Sequence, residues 1–333
     1  MQKWLLISCL LILSACTEHA VDINEDYKTR LNTVLGAAPD KPVLNNIQVP
    51  AVPQLESQFQ ISILELGSLG HCKLSNIVAK RNNQLGKTQV ASERLKYQIQ
   101  FIKFAKECLN DSLTKDEALN DTLKSAVLEK QHNLMSEFNY MLFNETELKG
   151  LLQLTSDFLP ADSNQYSSAS ALEAIDNLVN IRQQIANQET DSIDASSITT
   201  SLEKLYQNRF IRQLLSSAHL QIAYNQQSTA WISGFDYMNS VCREGKSKKD
   251  AQILSTIFNK YYLNKIQGYQ ADLTGLLEIT SPMLFELWRS YPELSEIVDV
   301  ESKNSLLNQL KQTSREHVIW WQNFYKMCKI KPL

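Results

Sequence analysis

Glycine is scarce in this chain, with nine residues in 333, and four of its eight prolines crowd into one short stretch. No glycine-rich loop is present to cradle a nucleotide phosphate, so no nucleotide cofactor is expected, nor any other cofactor. Gly-x-Ser-x-Gly is also missing, and Gly67-Ser68-Leu69-Gly70 lacks the strand–turn–helix setting that would expose a nucleophilic serine. The histidines are His19, His71, His132, His219 and His317. None forms a His-Glu-x-x-His pair or shares a helix face with another, which argues against a zinc hydrolase. The formal net charge is −3 and the charges are interspersed, so the basic stripe of a nucleic-acid binder is absent. These absences leave no recognisable catalytic motif, and the expectation is a protein that is not an enzyme.

What is present begins at the first residue. Met1-Gln2-Lys3-Trp4 carries one positive side chain, and an apolar run follows from Leu5 to Leu13. That run is about half the ~20 residues a spanning helix needs, so residues 1–15 read as a signal peptide. Leu13-Ser14-Ala15-Cys16 matches the bacterial lipobox, in which the cysteine becomes the lipid-bearing N-terminus after cleavage. Each buried acyl CH2 contributes roughly 0.8 kcal/mol, so several chains on Cys16 anchor the protein stably. Thr17 follows where an Asp would favour retention in an inner membrane. The expected location is therefore the outer membrane, lipid-anchored and facing the periplasm, with residues 16–24 as a tether.

Four cysteines remain in the mature chain, Cys72, Cys108, Cys242 and Cys328. An even number in an oxidising compartment implies disulfides, with three possible pairings. Cys72–Cys108 would clip adjacent helices and Cys242–Cys328 would tie the last helix back onto the bundle, and these pairings are favoured. No Cys-x-x-Cys or His-rich spacing supports a metal site instead, and none is expected.

Leu, Gln, Asn, Ser, Glu and Lys dominate, which favours helix over sheet. Residues 25–333 are expected to form a single all-α domain, an irregular multi-helix bundle stapled by two disulfides. Pro39, Pro42, Pro50 and Pro53 exclude helix over 37–54, leaving an N-terminal extended segment. Its Val43, Leu44, Ile47, Val49 and Val52 suggest a strap lying on the domain surface. Helical spacing predicts helices over 24–35, 57–67, 71–84, 90–110, 145–158, 168–188, 197–224, 228–242 and 248–270, with the alternation of Phe59, Ile61 and Ile63 leaving a strand open for 57–67. It also predicts 272–290, with a stop near Pro282, and 294–327. Thr114 and Glu117 form a capping-box pattern for a further helix to about 136. No period of 34 or ~40 residues supports a solenoid.

One stretch is distinctive: Leu64-Glu65-Leu66, Cys72, Arg81-Asn82-Asn83-Gln84-Leu85-Gly86-Lys87, Ser92, Arg94-Leu95, Tyr97 and Cys108. It resembles a family of Gram-negative bacterial lipoproteins whose domain has no assigned function. The shared layout is a lipobox, an early Pro-rich segment, an Arg-Asn-x-x-Leu-Gly-Lys turn between cysteines and a helical remainder. The resemblance implies location and fold and carries no activity.

Arg81, Asn82, Asn83 and Lys87 concentrate hydrogen-bonding groups at a helix end, where an anion or glycan could be held. The plain structural alternative is a helix stop at Gly86 with asparagines satisfying loose carbonyls. Arg94 and Tyr97, three apart, could face the same turn, and Glu65 within an apolar run would need Arg81 or Arg94 as partner if buried. The expectation is one polar cluster of Glu65, Arg81, Asn82, Asn83, Lys87, Arg94 and Tyr97. Late aromatics such as Trp231 and Tyr262 are expected mainly in the core; Trp320-Trp321 is the exception, since adjacent helical residues point about 100° apart and one of the two can reach the surface. The leading functional reading is a non-catalytic envelope protein that binds a protein or cell-wall partner. A ligand- or glycan-binding module with a cleft near 81–97, and an unrecognised enzyme, are the alternatives.

Overall fold

The computed structural model describes residues 20–56, 61–82, 90–162, 166–243 and 248–332. The leader and Cys16 lie outside the described residues. Among those described there are helices and no strand, and both favoured disulfides are formed, Cys72–Cys108 and Cys242–Cys328. In a chain-entropy account, closing segments of 36 and 86 residues is worth about 4 kcal/mol each.

Helix α1 (Ala20–Leu35) starts inside the expected tether and buries Ala20, Ile23 and Asn24. The tether reading therefore ran too far, because these residues pack against the bundle. Gly36, at φ 68°, ends α1 as its lack of Cβ allows. The chain then runs without helix to residue 56, lying on the domain as a strap. Ile47, Val49 and Val52 pack on the core, and the Trp231 indole N–H donates to the Gly36 carbonyl at 3.2 Å.

Short α2 (Ile63–Ser68) and α3 (Lys73–Asn82) lead to the long antiparallel pair α4 (Ala91–Leu109) and α5 (Glu117–Asn144). The cap of α5 is Asp116, which accepts from the Leu119 N–H at 3.1 Å. Thr114 does not form the predicted capping box, because the helix begins only at Glu117 with Asp116 as its cap; the Thr114 hydroxyl instead donates to the Cys108 carbonyl at 2.7 Å.

Beyond α5, helix 145–158 shrinks to α6 (Thr146–Gly150). The irregular chain that follows is held by buried hydroxyls, with Thr155 N donating to Ser216 Oγ and Leu159 N to Ser217 Oγ, each at 3.0 Å. Helix α7 (Ala169–Ala186) packs on α8 (Ser196–Gln207). The expected single helix over 197–224 breaks at Asn208, whose side chain donates to the Ser167 carbonyl at 2.7 Å and accepts from Phe210 N at 2.9 Å. Helix α9 (Phe210–Ser233) then runs unbroken past the expected boundary, and the short α10 is Tyr237–Ser240.

Residues 249–288 form one continuous rod: α11 (Lys249–Ile257), a π-helical stretch (Phe258–Ile266) and α12 (Gln267–Trp288). Pro282 does not stop α12, since Leu277, Leu284 and Leu287 are buried along it and tertiary burial outweighs the lost hydrogen bond. Pro292 opens α13 (Pro292–Val298), and Ser305 caps α14 (Leu306–Cys328) after a turn that splits the expected 294–327 helix.

A polar knot locks α1 to α14 inside this apolar bundle. The Tyr27 hydroxyl meets His317 Nε2 at 2.8 Å, and Thr229 Oγ1 meets Nδ1 at 2.8 Å. Trp321 N–H, a pure donor, reaches the Tyr27 oxygen at 3.0 Å and His317 Nε2 at 3.2 Å. Nε2 therefore accepts and Nδ1 carries the hydrogen that Thr229 receives. Protonating Nε2 would destroy its acceptor role, and burial already pushes His317 down to about 3. Of the adjacent tryptophans, Trp321 is wholly buried and Trp320 half-buried.

His219 is likewise pushed down by burial, to about 4. Unfolded histidine binds its proton near 6.5, so below that pH the unfolded state gains protons that the folded state refuses. Stability should fall by about 1.4 kcal/mol per pH unit for each of the two as pH drops below 6.5. Urea unfolding midpoints at pH 7, 6 and 5 check this, and His317→Gln should remove about half of the slope; an unchanged slope contradicts it.

Candidate functional site

The sequence places Arg94, Tyr97 and Gln98 on one face of α4, with Arg81 and Asn82 at the end of α3. The fold adds Gln54, Leu55 and Glu56 of the strap and Lys130 of α5, and together they line a cleft of about 610 Å³. Its size lies in the range of small-molecule sites, and its walls are mainly polar.

Arg94 forms the rear wall. It is 6% exposed and pairs with Glu137 Oε1 at 2.8 Å, and the same guanidinium nitrogen donates to the Leu55 carbonyl at 2.9 Å. Its guanidinium also lies 5.6 Å from the Tyr140 ring. One side chain thus joins α4, α5 and the strap. Lys130 lies between the rings of Tyr97 and Phe101, at 5.5 and 4.7 Å, and donates to Gln98 Oε1 at 2.8 Å. Burial pushes its ammonium down to about 8, against the opposing pull of Glu129 and Glu137.

Arg81 sits 5.6 Å over the Tyr97 ring, and its pKa is lowered by burial and by the charge of Arg94. Tyr97 is pushed up to about 12 by burial, which Arg81 partly offsets. Of the charged groups lining the cleft, Arg81, Arg94 and Lys130 face one carboxylate, Glu56. Glu137 and Glu129 stand next to Lys130 in an adjoining small recess.

Four of the expected cluster residues meet here: Arg81, Asn82, Arg94 and Tyr97. Asn83 and Lys87 lie outside the described residues. Glu65 does not join them. It caps its own helix, accepting the Ser62 N–H at 2.8 Å while Ser62 Oγ accepts the Glu65 N–H at 3.2 Å, and these bonds lower its pKa. The apolar run around it is not buried, since Ile63 and Leu64 are 89% and 86% exposed, so no buried partner is required.

Sequence reasoning missed Lys130, Glu137, Gln98 and the strap carbonyl. A signal existed for two of them. Leu123, Val127, Lys130, Leu134, Glu137 and Met141 recur at spacings of three and four, so two charges occupy the apolar stripe of α5.

A larger groove, about 770 Å³, runs between α12 and α14. Its charged groups include Glu278 and Lys311, paired with each other at 2.7 Å, and its Gln270 turns inward to bond Gln221 and Asn225. The smaller cleft collects more buried cations and is the stronger candidate. Among the described residues one group, His71, Cys72 and Cys108, brings three possible metal-ligating side chains within reach of one another.

The fold and cleft define an all-helical, disulfide-stapled protein with a cationic polar cleft. The chain belongs to the family described as Protein of unknown function (DUF3080), which it matches over residues 24–332. No curated protein and no solved structure matches it. The family span takes in the strap, the cleft and both disulfides, so the whole described domain is the family's unit.

Removing the carboxylate of Glu137 should strand the buried Arg94 charge and cost about 3–5 kcal/mol. Glu137→Ala is therefore expected to unfold at much lower denaturant. Arg94→Met combined with Glu137→Met should recover most of the loss yet release the strap at Leu55, which limited proteolysis between residues 37 and 56 would report. A double variant as unstable as the single one contradicts this account.

Proposed function

We propose that this protein is a lipid-anchored, non-catalytic binding protein of the Gram-negative cell envelope, holding an acidic saccharide in the Arg81–Arg94–Lys130 cleft. The observation that carries the reading is the convergence of three cations from three elements on one cleft, with the side-chain amides of Gln54, Asn82 and Gln98 beside them. Guanidinium and ammonium groups suit a carboxylate, and amides suit sugar hydroxyls. Lys130, near the rings of Tyr97 and Phe101 and donating to Gln98, would supply charge to a bound carboxylate.

The location follows from the lipobox at residues 13–16 and from Thr17. Among the described residues no helix is long and apolar enough to cross a membrane, so a membrane attachment of this domain would rest on the lipid. Cys16→Ser should move the protein from the membrane pellet to the soluble fraction and abolish acyl labelling. Unchanged pelleting would count against the anchor.

Glucuronate and glucose, compared by calorimetry, test the cleft. Glucuronate should bind at least tenfold more tightly than glucose, and Arg81→Ala should erase most of that difference. Lys130 loses its charge as pH rises through about 8, so glucuronate binding should weaken between pH 7 and 9. Lys130→Met should remove that pH dependence. Equal binding of the two sugars by the wild type would refute the reading. A second reading, docking of an envelope protein, is favoured by the bare Ile63 and Leu64 side chains of α2, and such binding would be insensitive to Arg81→Ala.

A further inference from the structure

The second candidate site lies at the far end of α3 and α4 from the cleft. A ring nitrogen of His71 and the sulfurs of Cys72 and Cys108 lie within 4.8 Å of one another. His71 is exposed, while both cysteines are buried. The second shell is also in place. Thr114 donates its own hydrogen to the Cys108 carbonyl at 2.7 Å, so towards His71 Nε2, 2.9 Å away, it accepts. Nε2 therefore carries the ring hydrogen, and the lone pair is on Nδ1. A histidine that ligates a metal typically shows this pattern, its other nitrogen held by an oxygen that fixes the tautomer. The same threonine hydroxyl is 3.8 Å from Cys108 Sγ.

Two sulfurs and one imidazole form a soft donor set, the kind that selects cuprous or zinc ions over hard cations. Ligands at about 2.0–2.3 Å from one ion stand roughly 3.5–4 Å apart, and the ring nitrogen and the two sulfurs already lie within 4.8 Å of one another. To take a cation the two sulfurs must separate and the ring must present its Nδ1 lone pair to them.

We infer that Cys72, Cys108 and His71 form a redox-gated site for a soft, thiophilic cation, in which metal and disulfide are mutually exclusive states of the same two sulfurs. In the oxidised state the sulfurs are bonded and staple α3 to α4. A dithiol reductant opens the bond by giving two electrons and two protons to the sulfurs, and closes to its own disulfide. The cation then displaces both thiol protons and takes two thiolates and the imidazole, re-clipping the same two helices without the S–S bond. Cys242–Cys328 is a built-in control, because no histidine joins that pair among the described residues.

The test uses the mature full-length chain, reduced with a dithiol that is then removed without oxygen. Cu+ and Zn2+ are titrated separately against a competing chelator. One equivalent should bind to reduced protein and none to oxidised protein, and Cu+ against Zn2+ affinity identifies the preferred ion. His71→Ala should weaken binding at least tenfold, while Cys242→Ser combined with Cys328→Ser should leave it unchanged. In the wild type, bound metal should slow alkylation of Cys72 and Cys108 and leave Cys242 and Cys328 as reactive as before. This last readout does not depend on any variant folding. Absent binding, binding indifferent to His71→Ala, or equal protection of all four thiols would overturn the inference.

Discussion

The ion pair between Arg94 and Glu137 is the contact on which the candidate site depends, because three parts of the chain end on it. Arg94 comes from α4, Glu137 from α5 and the Leu55 carbonyl from the strap. Taking two charges out of water is costly, and a hydrophobic pair of similar volume would often serve stability as well or better. Its retention makes more sense as a positioning device. The planar fork of Arg94 can satisfy a carboxylate and a carbonyl at once, so it fixes where the strap crosses the helices. The crossing defines one wall of the cleft, and Arg81 opposite has its pKa lowered mainly by burial and further by the charge of Arg94, which Glu137 partly offsets.

The polar knot around His317 does comparable work elsewhere. Tyr27, Thr229 and Trp321 each supply what the imidazole needs, and the aromatic rings of Phe258 and Tyr262 enclose them, with Phe258 stacked on Trp321 at 4.7 Å. Apolar helix faces slide over one another at little cost, whereas a fully satisfied buried network has one register. The knot therefore fixes α1 against α14, and the π-helical stretch brings Phe258, Tyr262 and Ile266 to the interior at spacings of four.

Much of this was legible in local chemistry. Four clustered prolines imply the strap, helix-former composition implies the bundle, and the spacing of Arg94 and Tyr97 places both on one face. The pairing of the cysteines also follows from which helices adjoin. The cleft's other half was not legible, for a physical reason. Glu137 is 43 residues from Arg94, and Leu55 is 39 residues away on the other side, so the contact exists only after tertiary packing. Glu65 lies in an apolar neighbourhood in sequence, which does not by itself bury it. Ile63 and Leu64 face solvent, and a capping role needs no buried partner. Helix ends failed where a single side chain redirected the chain, as Asn208 does by bonding Ser167 and Phe210 at once.

The early start of α1 constrains how an anchored form would present the cleft. Ala20 is already buried, and it stands only four positions after Cys16. Even fully extended, four residues reach about 14 Å, so in the proposed lipidated state the domain sits against the headgroups and not on a long leash. Nor can α1 peel away cheaply to lengthen that leash. Tyr27 is tied to His317 and Trp321, and Glu25 accepts the Tyr224 hydroxyl at 2.8 Å. A pull on the N-terminus would load the polar knot before any of the helices that form the cleft. In that proposed state the knot would be the mechanical boundary between the anchored N-terminus and the rest of the domain, and the Arg94–Glu137 wall would lie beyond it.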